Sequence, residues 1–519
     1  MHKILIAGRG EIAVRIVRGC RDLGLATVAV YSDADRMAPH VRMADEACWI
    51  GAAPAAESYL RIDRIVGAAR AARADAVHPG YGFLSENAAF AAACQDAGLI
   101  FIGPPAEVIA LMGSKTAARR LAASAGVPVV PGTEGPLPAD ADERQIADAA
   151  AAIGYPLMVK AVAGGGGKGM RIVREPASLL DAVRGARSEA QSAFGDAEVY
   201  LERRLERPRH VEVQLLADQH GAVLPFVERE CSIQRRQQKV VEETPSTAVS
   251  PALRAQLTAA ASAIARAAGY VNAGTIEFLL DGDGRFYFLE MNTRLQVEHP
   301  ITEAVTGVDL VEWQLRIARG EALRLDPDAL LQPRGHAIEC RIYAEDADAG
   351  FTPSPGRLAA LRPPAGPGVR DDSGVETGGE VSVFYDPLLS KLVTWGTDRD
   401  QALRRMQRAL GEYTVRGVRT TVPFFRWLLA QDDFRSGHVH TAWLDEVLQQ
   451  QGGASFDARE VSQMEVAAIA AVLTAQSQTA GARMAGAQTA HRPHQARTGG
   501  DAIRASRWVR EGRREALRG

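Results

Sequence analysis

The chain has 519 residues, too many for one hydrophobic core, and this length predicts roughly two to four domains. Apolar residues make up 46% and charged residues 24%, and the net charge of −3 excludes bulk attraction to nucleic acid or an anionic membrane. No apolar run reaches the roughly 20 residues that span a bilayer. Five scattered cysteines without metal-ligand spacing favour a reducing cytoplasm, and the strand-like start KILIAG predicts no leader segment.

The first 113 residues alternate short apolar runs with stretches of helical apolar period, the pattern of a doubly wound α/β domain. Strands are expected at 3–8, 26–32, 46–51, 76–80 and 99–103. Gly8, Gly10 and Ala13 also match the dinucleotide-binding spacing, and Asp33 ends the next strand. A nicotinamide-dependent oxidoreductase is therefore one alternative, although the rest of the sequence offers no hydride-transfer constellation.

The later segments predict a mixture of α/β and α+β structure. The expected divisions are 1–113, a helix and Pro/Gly-rich linker at 114–138, a small α+β unit at 139–203, mixed β/α segments at 204–330 and 331–447, and a tail at 448–519. Expected elements are strands at 211–218 and 222–230, a helix at 251–269, and a hairpin at 276–292. The tail is expected to hold a helix at 459–475, a flexible stretch at 476–500 and a basic amphipathic end.

Lysine is scarce among the basic residues. Of 60 basic residues, 54 are arginine and six are lysine, namely Lys3, Lys115, Lys160, Lys168, Lys239 and Lys391. Arginine is a planar fork, whereas lysine is a compact point charge on a flexible stem. The lysines are therefore candidates for places that arginine cannot fill, such as a tight site for phosphate oxygens.

A glycine loop in residues 159–173 contains two of these lysines. Lys160 ends a strand-like run, and four glycines precede Lys168 and Gly169. Bare backbone N–H groups in such a loop let a phosphate approach closely. The segment lacks the ending of a Walker A motif, and a plain flexible loop is the alternative. Lysines at both ends favour a mobile lid that closes over a triphosphate.

Polar residues cluster on and after the predicted hairpin. Glu277 lies on one strand, and Glu290 and Asn292 lie on its partner, so their oxygens converge as ligands for Mg²⁺ bridging phosphates. Directly after the hairpin come Arg294, Gln296 and Glu298. Their alternation predicts that the three side chains share one face of an extended segment. The alternative is a solvated strand face.

Three further stretches supply candidates on weaker grounds. They are His210, Glu228, Gln234, Arg235, Arg236 and Lys239 in 210–243, Arg341 with Glu339 in 335–346, and Tyr81 in the loop HPGYG at 78–82. A charge run is usually solvated, and the alternation of Glu339 with Arg341 alone would be a surface ion pair. The loop follows a strand where α/β folds bind ligands, and a structural turn is equally compatible.

Seven segments together resemble the biotin carboxylase family, which has the ATP-grasp fold. They are HPGYGFLSEN, the segment of Lys115, KAVAGGGGKGMR, ERECSIQRR, KVVEE, EMNTRLQVEHPITE and ECRIYAED, collinear over roughly 2–447. The resemblance implies a Rossmann-like N-terminal domain, a glycine-rich lid and a C-terminal body, with ATP between lid and body. It also implies ATP-dependent carboxylation of N1′ of biotin held on a carrier.

The resemblance assigns roles residue by residue. It implies ATP binding by Lys115, Lys160, Gly165, Gly166, Gly167, Lys168, Gly169, Glu202, Leu205, His210, Gln234, Gln237, Lys239, Glu277 and Glu290. It implies Mg²⁺ or Mn²⁺ binding by Glu277, Glu290 and Asn292. It implies a bicarbonate and biotin pocket formed by Tyr81, Arg294, Gln296, Val297, Glu298 and Arg341. The catalytic residues would be Lys239, Arg294, Glu298 and Arg341.

The implied chemistry begins when Glu298 removes the proton of a bicarbonate held by Arg294. Bicarbonate attacks the γ-phosphorus, and the lid shields the labile carboxyphosphate. Breakdown gives CO₂ and phosphate, the phosphate deprotonates biotin, and Arg341 stabilises the enolate. Two positions depart from the family pattern. Gln237 replaces a histidine and is expected to tune a nucleotide contact, and Gly8 replaces an asparagine.

The sequence also predicts what other polypeptides supply. No MKM sequence of a biotinylated hairpin and no carboxyltransferase region occur. We expect a cytoplasmic stand-alone subunit of an acetyl- or propionyl-CoA carboxylase serving fatty acid biosynthesis, with a pyruvate-using complex still open. Expected partners are a biotin carboxyl carrier protein, a carboxyltransferase subunit, and a second copy in a homodimer, and the basic tail end is expected to dock a partner subunit. The alternatives are another ATP-grasp ligase that makes an acyl phosphate and a non-catalytic assembly subunit.

Overall fold

The computed structural model describes residues 1–138, 140–162 and 169–456. Several predicted features lie outside the described residues, namely Gly165, Gly166, Gly167 and Lys168 of the lid loop and the tail elements from 459 onward. Within the described part of the chain, no helix is both long enough and apolar enough to cross a bilayer.

The N-terminal segment forms a parallel five-stranded sheet flanked by helices. Its strands are β1 (Lys3–Ile6), β2 (Ala26–Ser32), β3 (Glu46–Gly51), β4 (Ala76–His78) and β5 (Ile100–Phe101), in the order β3-β2-β1-β4-β5. Its helices are α1 (Gly10–Asp22), α2 (Pro39–Met43), α3 (Ile62–Ala71), α4 (Ala88–Asp96) and α5 (Ala106–Gly113). Apolar runs such as KILI are buried, as strands between two helical layers require. The doubly wound α/β prediction is confirmed.

The next segment forms a small antiparallel sheet with two helices, which we call the lid sheet. Helix α6 (Lys115–Ser124) precedes it, and its elements are α7 (Glu143–Ile153), β6 (Leu157–Ala161), β7 (Arg171–Val173), α8 (Leu179–Phe194) and β8 (Val199–Arg203). The strand order is β7-β6-β8. Asp142 and Gln145 close a capping box that starts α7. Ile146, Leu157 and Leu201 belong to a hydrophobic core of this unit.

The central segment supplies most of a nine-stranded antiparallel sheet, which we call the large sheet. Its elements are β9 (Arg209–Ala217), β10 (Val223–Pro225), β11 (Arg229–Arg235), β12 (Gln238–Thr244), α9 (Pro251–Ala267), β13 (Asn272–Leu280), β14 (Phe286–Asn292), α10 (His299–Thr306), α11 (Leu310–Ala318) and α12 (Pro327–Leu330). The predicted helix at 251–269 and hairpin at 276–292 are confirmed. The single strand predicted at 222–230 is wrong, because the Val227 N–H donates to Leu330 and the chain leaves the sheet between β10 and β11.

The C-terminal segment completes the large sheet and adds small strand pairs and helices. Its elements are β15 (His336–Tyr343), β16 (Glu345–Asp346), β17 (Thr352–Pro353), β18 (Gly356–Arg357), β19 (Ala360–Arg362), β20 (Val369–Ser373), β21 (Glu380–Val381), β22 (Leu388–Gly396), α13 (Arg399–Glu412), β23 (Thr414–Arg416), α14 (Val422–Leu428), α15 (Asp432–Ser436) and α16 (Trp443–Gln451). The large sheet runs β14-β13-β9-β11-β12-β15-β22-β20, with β10 beside β9. Because β15 pairs with β12, Arg341 and the hairpin carboxylates belong to one sheet.

Candidate active site

Two carboxylates face each other on the hairpin of β13 and β14. Glu277 pairs directly with Glu290 in the antiparallel register, and Asn292 lies two residues further along the same face of β14. Asn292 Nδ2 donates to Glu277 Oε1 at 2.7 Å. Burial, followed by the charge of Glu277, raises the pKa of Glu290. The structure therefore brings the three predicted metal ligands together in a place that favours a cation.

Lys239 on β12 lies among three carboxylates. Its Nζ donates to Glu277 Oε1 and Glu298 Oε1, both at 2.7 Å, and also to Glu212 of β9. Burial opposes the charged ammonium, but the three carboxylates raise the pKa of Lys239 well above its usual value. Burial likewise opposes ionisation of Glu277, yet Lys239 and His210 lower its pKa. This single ammonium therefore offsets the mutual repulsion of the carboxylates around it.

Glu298 occupies the N-cap position of α10 and is fully buried, but its side chain does not bond the helix backbone and points to the carboxylate cluster instead. Its Oε1 accepts from Lys239, and its Oε2 accepts from Nη2 of Arg341 at 3.0 Å. Burial would raise the pKa of this carboxyl, but Lys239, Arg341 and Arg229 hold the pKa of Glu298 well below its usual range. Glu298 is therefore ionised at neutral pH, the state that a general base requires.

Arg341 reaches the same cluster from β15. Its Nε donates to Glu242 Oε1 at 2.7 Å, and its Nη2 donates to Glu298. Burial raises the pKa of Glu242 to about 7, although the charge of Arg341 opposes the shift. The prediction of a surface ion pair between Glu339 and Arg341 is wrong. Both residues are buried because β15 lies inside the large sheet between β12 and β22.

The chain after β14 bends instead of running straight. Arg294 donates from Nε to Glu86 at 2.9 Å and from Nη1 to Gln296 Oε1 at 3.3 Å. Gln296 in turn donates to Glu277 Oε1 at 3.3 Å. The extended face predicted for Arg294, Gln296 and Glu298 is wrong, because the chain turns into α10 at Glu298. The bend still directs Gln296 and Glu298 to the same carboxylate cluster.

Two lysines are associated with the lid sheet and the helix before it. Lys160 on β6 is buried and donates to Glu202 on β8, which also accepts from Arg119 of α6. Burial lowers the pKa of an ammonium, but Glu202 raises the pKa of Lys160 above its usual value. Burial lowers the pKa of Lys115, at the start of α6, while the charge of Glu290 opposes that shift. Glu202 is thus one carboxylate held by two cations.

The other described candidates for ATP binding lie on β9, β11 and nearby loops. His210 Nε2 is 3.0 Å from Glu277 Oε2, and its Nδ1 is 3.1 Å from Gln234 Nε2. Gln237 is exposed at the tip of the β11–β12 hairpin with a φ of +67°, so it occupies a turn position. Leu205 is half-buried between β8 and β9.

Gly169 is a position where the backbone requires glycine. Its φ is +71°, and a Cβ there would lie 2.8 Å from the Cβ of Ala161 on β6. This close approach anchors the C-terminal side of the predicted lid loop to the lid sheet.

Val297 and Tyr81 are connected through one buried side chain. The carbonyl of Val297 accepts from Nζ of Lys391 on β22 at 3.0 Å. The same Nζ lies 5.7 Å from the ring centroid of Tyr81, in the loop after β4. Lys391 therefore lies beside both Val297, which is predicted to bind bicarbonate, and Tyr81, which is predicted to lie near biotin.

Several residues that hold the cluster together were missed by sequence reasoning. They are Glu86, Glu212, Arg229 and Glu242, whereas Lys391 was a candidate only as one of the few lysines, with no role assigned. Arg229 is fully buried, and its guanidinium donates to Glu212, to Gln214 at 3.0 Å and to Thr302 of α10 at 2.9 Å. Glu212 alternates with His210 and Gln214 along β9. Alternating polar residues on a strand that is otherwise apolar indicate a buried polar cluster, and this pattern could have identified Glu212 from the sequence.

The dinucleotide-like loop before α1 is covered by protein. A Cβ on Gly374, just after β20, would lie 2.3 Å from the backbone nitrogen of Glu11. The start of α1 is therefore packed against another backbone, where a pyrophosphate would have to bind. Asp33 is exposed and accepts from Trp49 Nε1 at 2.9 Å. This geometry removes the basis of the oxidoreductase alternative.

Family profiles match most of the chain. The biotin carboxylase N-terminal domain matches residues 1–109, the carbamoyl-phosphate synthase L chain ATP-binding domain matches 114–326, and the biotin carboxylase C-terminal domain matches 339–446. The ATP-binding profile spans both the lid sheet and the hairpin with Glu277 and Glu290.

Individual relatives are similar over nearly the same stretch. The biotin carboxylase of Nostoc sp. is 53% identical over 445 residues, which is 86% of this chain and 99% of that protein. A pyruvate carboxylase subunit of Methanothermobacter thermautotrophicus is 52% identical over 444 residues, 86% of this chain and 89% of that protein. A crystal structure of the biotin carboxylase domain dimer of Hydrogenobacter thermophilus 2-oxoglutarate carboxylase, in complex with MgADP, ADP and bicarbonate, is 45% identical. Its TM-score is 0.82, and the match covers 86% of this chain and 97% of that chain.

The lid sheet, the large sheet and the parallel N-terminal sheet together define an enzyme of the ATP-grasp class. The chain belongs to the biotin carboxylase family, and the resemblance drawn from the sequence motifs is confirmed. It is an ATP-dependent biotin carboxylase.

Proposed function

We propose that this chain carboxylates N1′ of biotin carried on a separate protein, using bicarbonate and MgATP through carboxyphosphate. The observation that carries the proposal is Glu298, a buried and ionised carboxylate hydrogen-bonded to both Lys239 and Arg341. Lys239 also contacts Glu277, so the base and one of the two metal carboxylates share one cation. A base, anion-binding cations and a metal site thus meet in one cluster.

The facing carboxylates fit a divalent cation. Glu277 and Glu290 offer hard oxygen ligands directly across two strands, and Asn292 would supply an amide oxygen. Burial first, and then the charge of Glu277, raises the pKa of Glu290, so a cation bound at this carboxylate pair would be favoured. Mg²⁺, or Mn²⁺ in its place, would neutralise charge on the terminal phosphates of the nucleotide.

The nucleotide is assigned to the residues that the sequence motifs imply for ATP binding. They are Lys115, Lys160, Gly165, Gly166, Gly167, Lys168, Gly169, Glu202, Leu205, His210, Gln234, Gln237 and Lys239. Lys115 and Lys239 each interact electrostatically with a carboxylate of the metal pair, so a triphosphate held there would meet cations on more than one side. Gln237 is assigned a ribose or phosphate contact from the hairpin tip.

Bicarbonate is assigned to Arg294, Gln296 and the backbone of Val297, because guanidinium and amide donors suit a small planar anion. Glu298 takes the bicarbonate proton, and a bicarbonate oxygen attacks the γ-phosphorus while the bond to ADP breaks. With Lys239 against it, Glu298 is a weak base. A triphosphate that draws Lys239 away would raise the pKa of Glu298 and strengthen the base.

Biotin is assigned to the side of the cluster that Arg341 and Tyr81 occupy. Carboxyphosphate breaks down to CO₂ and phosphate, and the phosphate takes the N1′ proton. The charge of Arg341, already directed to Glu298 and Glu242, would stabilise the negative enolate oxygen until N1′ attacks CO₂.

The assembly around this chain is proposed from its family. A biotin carboxyl carrier protein would bring biotin, and a carboxyltransferase subunit would pass the carboxyl group to acetyl-CoA, propionyl-CoA or pyruvate. A homodimer is supported by the biotin carboxylase domain dimer of Hydrogenobacter thermophilus. We place the complex in the cytoplasm and in fatty acid biosynthesis, and we keep the division into 1–113, 114–138, 139–203, 204–330, 331–447 and 448–519.

The test is ATP turnover that depends on both bicarbonate and free biotin. Glu298→Gln should lower it roughly 10²- to 10⁴-fold, the contribution of a positioned general base, while the Kd of MgATP stays within about twofold. Glu312→Gln is the control, because Glu312 pairs with Arg316 on the partly exposed α11 and should leave turnover unchanged. Near-normal turnover of Glu298→Gln would contradict the base assignment. Turnover with bicarbonate but independent of biotin would indicate a different acyl-phosphate ligase.

A further inference from the structure

Lys391 is a buried lysine that the proposed reaction does not use. Its side chain is fully buried on β22, between β15 and β20 of the large sheet. In the strand register it stands beside Arg341 on one neighbouring strand and Asp372 on the other. A buried ammonium is costly unless it is paired and hydrogen-bonded, so its partners indicate what it does.

The partners of Lys391 come from separate parts of the chain. Its Nζ donates to the carbonyl of Val297 at 3.0 Å and forms an ion pair with Glu11 Oε2 of α1 at 3.1 Å. Val297 directly precedes the base Glu298, and Tyr81 lies beside the same ammonium. One cation thus connects the N-terminal helix with the turn that presents the base.

Two side chains hold the backbone carbonyls of the turn before Glu298. The carbonyl of Gln296 is contacted by Nδ1 of His299 at 2.7 Å, and the carbonyl of Val297 is held by Lys391. Both peptide planes that lead into Glu298 therefore have a fixed orientation. Without Lys391, the Val297–Glu298 peptide would lose the partner of its carbonyl and be free to rotate, and the backbone of Val297 and the Glu298 side chain would shift with it.

Glu11 supplies the counter-charge. No hydrogen bond of good geometry satisfies its carboxylate oxygens among the residues that the structure describes, so the nearby ammonium is its compensation. Burial raises the pKa of Glu11 to about 7, and Lys391 opposes that rise. Gly374 allows the end of β20 to approach the start of α1 closely, which holds Glu11 in place.

We propose that Lys391 is a positioning residue for the bicarbonate-dependent carboxylation of biotin, with Glu11 as its counter-ion, and that it orients the Val297–Glu298 turn by holding the Val297 carbonyl. This inference rests on the proposed roles of Val297 and Glu298. Lysine suits the position because a compact ammonium reaches a carbonyl, a carboxylate and an aromatic face from one point, which a planar guanidinium does not.

Lys391→Met tests the proposal, because it removes the ammonium and keeps a long unbranched side chain. It should raise the KM for bicarbonate by roughly tenfold to a hundredfold, the range for losing one hydrogen bond from a charged donor. The Kd of MgATP, measured by calorimetry without bicarbonate, should stay within about twofold, because Lys391 contacts Val297, Glu11 and Tyr81 among the described residues, and none of these is assigned to ATP. Lys3→Met is the matched control, since Lys3 pairs with Glu46 at the surface and should leave both values unchanged.

A double variant separates positioning from charge balance. Lys391→Met leaves Glu11 buried and unpaired, which can impair folding by itself, whereas Glu11→Gln/Lys391→Met removes that unpaired charge. The double variant should regain thermal stability and still show the raised bicarbonate KM. A double variant with wild-type KM would overturn the proposal, because Lys391 would then only neutralise Glu11. Absence of bicarbonate-dependent turnover in the unmodified chain would instead reject the proposed function itself.

Discussion

Two ion clusters in this chain have opposite charge balance. In the lid sheet, the single carboxylate of Glu202 is held by two cations, Lys160 and Arg119. In the large sheet, the single ammonium of Lys239 is held by several carboxylates. These are Glu212, Glu277 and Glu298. Each central group is therefore outnumbered by contacts of the opposite charge, with Arg229 and Arg341 compensating Glu212 and Glu298 from the outer side of the large-sheet cluster.

The two imbalances are complementary to the two parts of a metal–nucleotide complex. Excess cation near the lid suits the phosphates, and excess carboxylate on the large sheet suits the divalent cation. Buried charge without compensation is unfavourable, so each cluster is less stable alone than with its ligand. Neither cluster should therefore tolerate a change that alters the shape or sign of its central group.

Among the changes that test this comparison, the largest effect is expected from Lys239→Arg. The guanidinium keeps the charge, but it is wider than an ammonium already hydrogen-bonded at 2.7 Å to both Glu277 and Glu298. Bicarbonate-dependent ATP turnover should fall roughly 10²- to 10³-fold, the scale of losing one preorganised charge contact in a catalytic site. The measurement is kcat with saturating MgATP and bicarbonate.

The matched control is Lys3→Arg, at a partly exposed ion pair with Glu46 that has no contact with the proposed pocket among the described residues. Near-normal turnover in Lys239→Arg would show that a charge alone suffices in the large-sheet cluster. In that case the scarcity of lysine in the sequence would carry no information about the site.

Glu243 is the centre of a third ion cluster, which lies outside the proposed pocket. As in the lid cluster, one carboxylate is contacted by two basic side chains. It accepts from His336 at 2.8 Å and from Arg399 at 2.6 Å. Burial pushes its pKa up, but the hydrogen bond from His336 and the charge of Arg399 lower the pKa of Glu243 to about 2. Its folded pKa is below the ordinary value of 4.5, so its stabilisation is present above pH 4.5 and is lost as pH falls toward 2.

Glu243→Gln should therefore lower the free energy of unfolding near neutral pH by about 3 kcal/mol, at about 1.4 kcal/mol per pKa unit. Urea unfolding at a series of pH values should show the difference from wild type shrinking below about pH 4.5. Exposed Glu380→Gln is the control and should change stability by less than about 0.5 kcal/mol. A difference that stayed constant down to about pH 3 would contradict the charge-based account of this cluster.

The sequence was most informative where local rules decide the structure. Alternating apolar runs predicted the parallel N-terminal sheet, and the DGDG turn predicted the β13–β14 hairpin that pairs Glu277 with Glu290. Residue spacing predicted the wrong backbone conformation at Glu298. The alternation of polar residues predicted an extended segment there, whereas the structure has a turn that leads into α10. The N-cap position of Glu298 depends on α10 packing against the large sheet, and that contact is not encoded by residues 294–298 alone.

The supporting residues were harder to predict because their partners are distant in sequence. Arg229 contacts Thr302, and Arg341 contacts Glu242, only after β9, β11, β12 and β15 become neighbours. The charged residues of β11 and β12 are expected at the surface from the sequence alone. The strand order shows that both strands lie in the middle of the large sheet. Lys391 was visible as one of the few lysines, but its role required knowing that β22 lies beside Val297.

The smallest of these effects is expected from Lys160→Met in the lid cluster. Glu202 would keep Arg119 as a cation, so the lid sheet should remain folded, while the positive excess assigned to the nucleotide disappears. The Kd of MgATP should rise roughly tenfold, the value of one charge-assisted hydrogen bond, and the KM for bicarbonate should stay unchanged. Arg171→Met on β7 of the same sheet is the control, because Arg171 pairs with Glu189 at the surface.

Unchanged nucleotide affinity in Lys160→Met would show that the lid cluster serves folding alone. The proposed complementarity would then rest on the large sheet, and the imbalance in the lid would need no ligand to explain it.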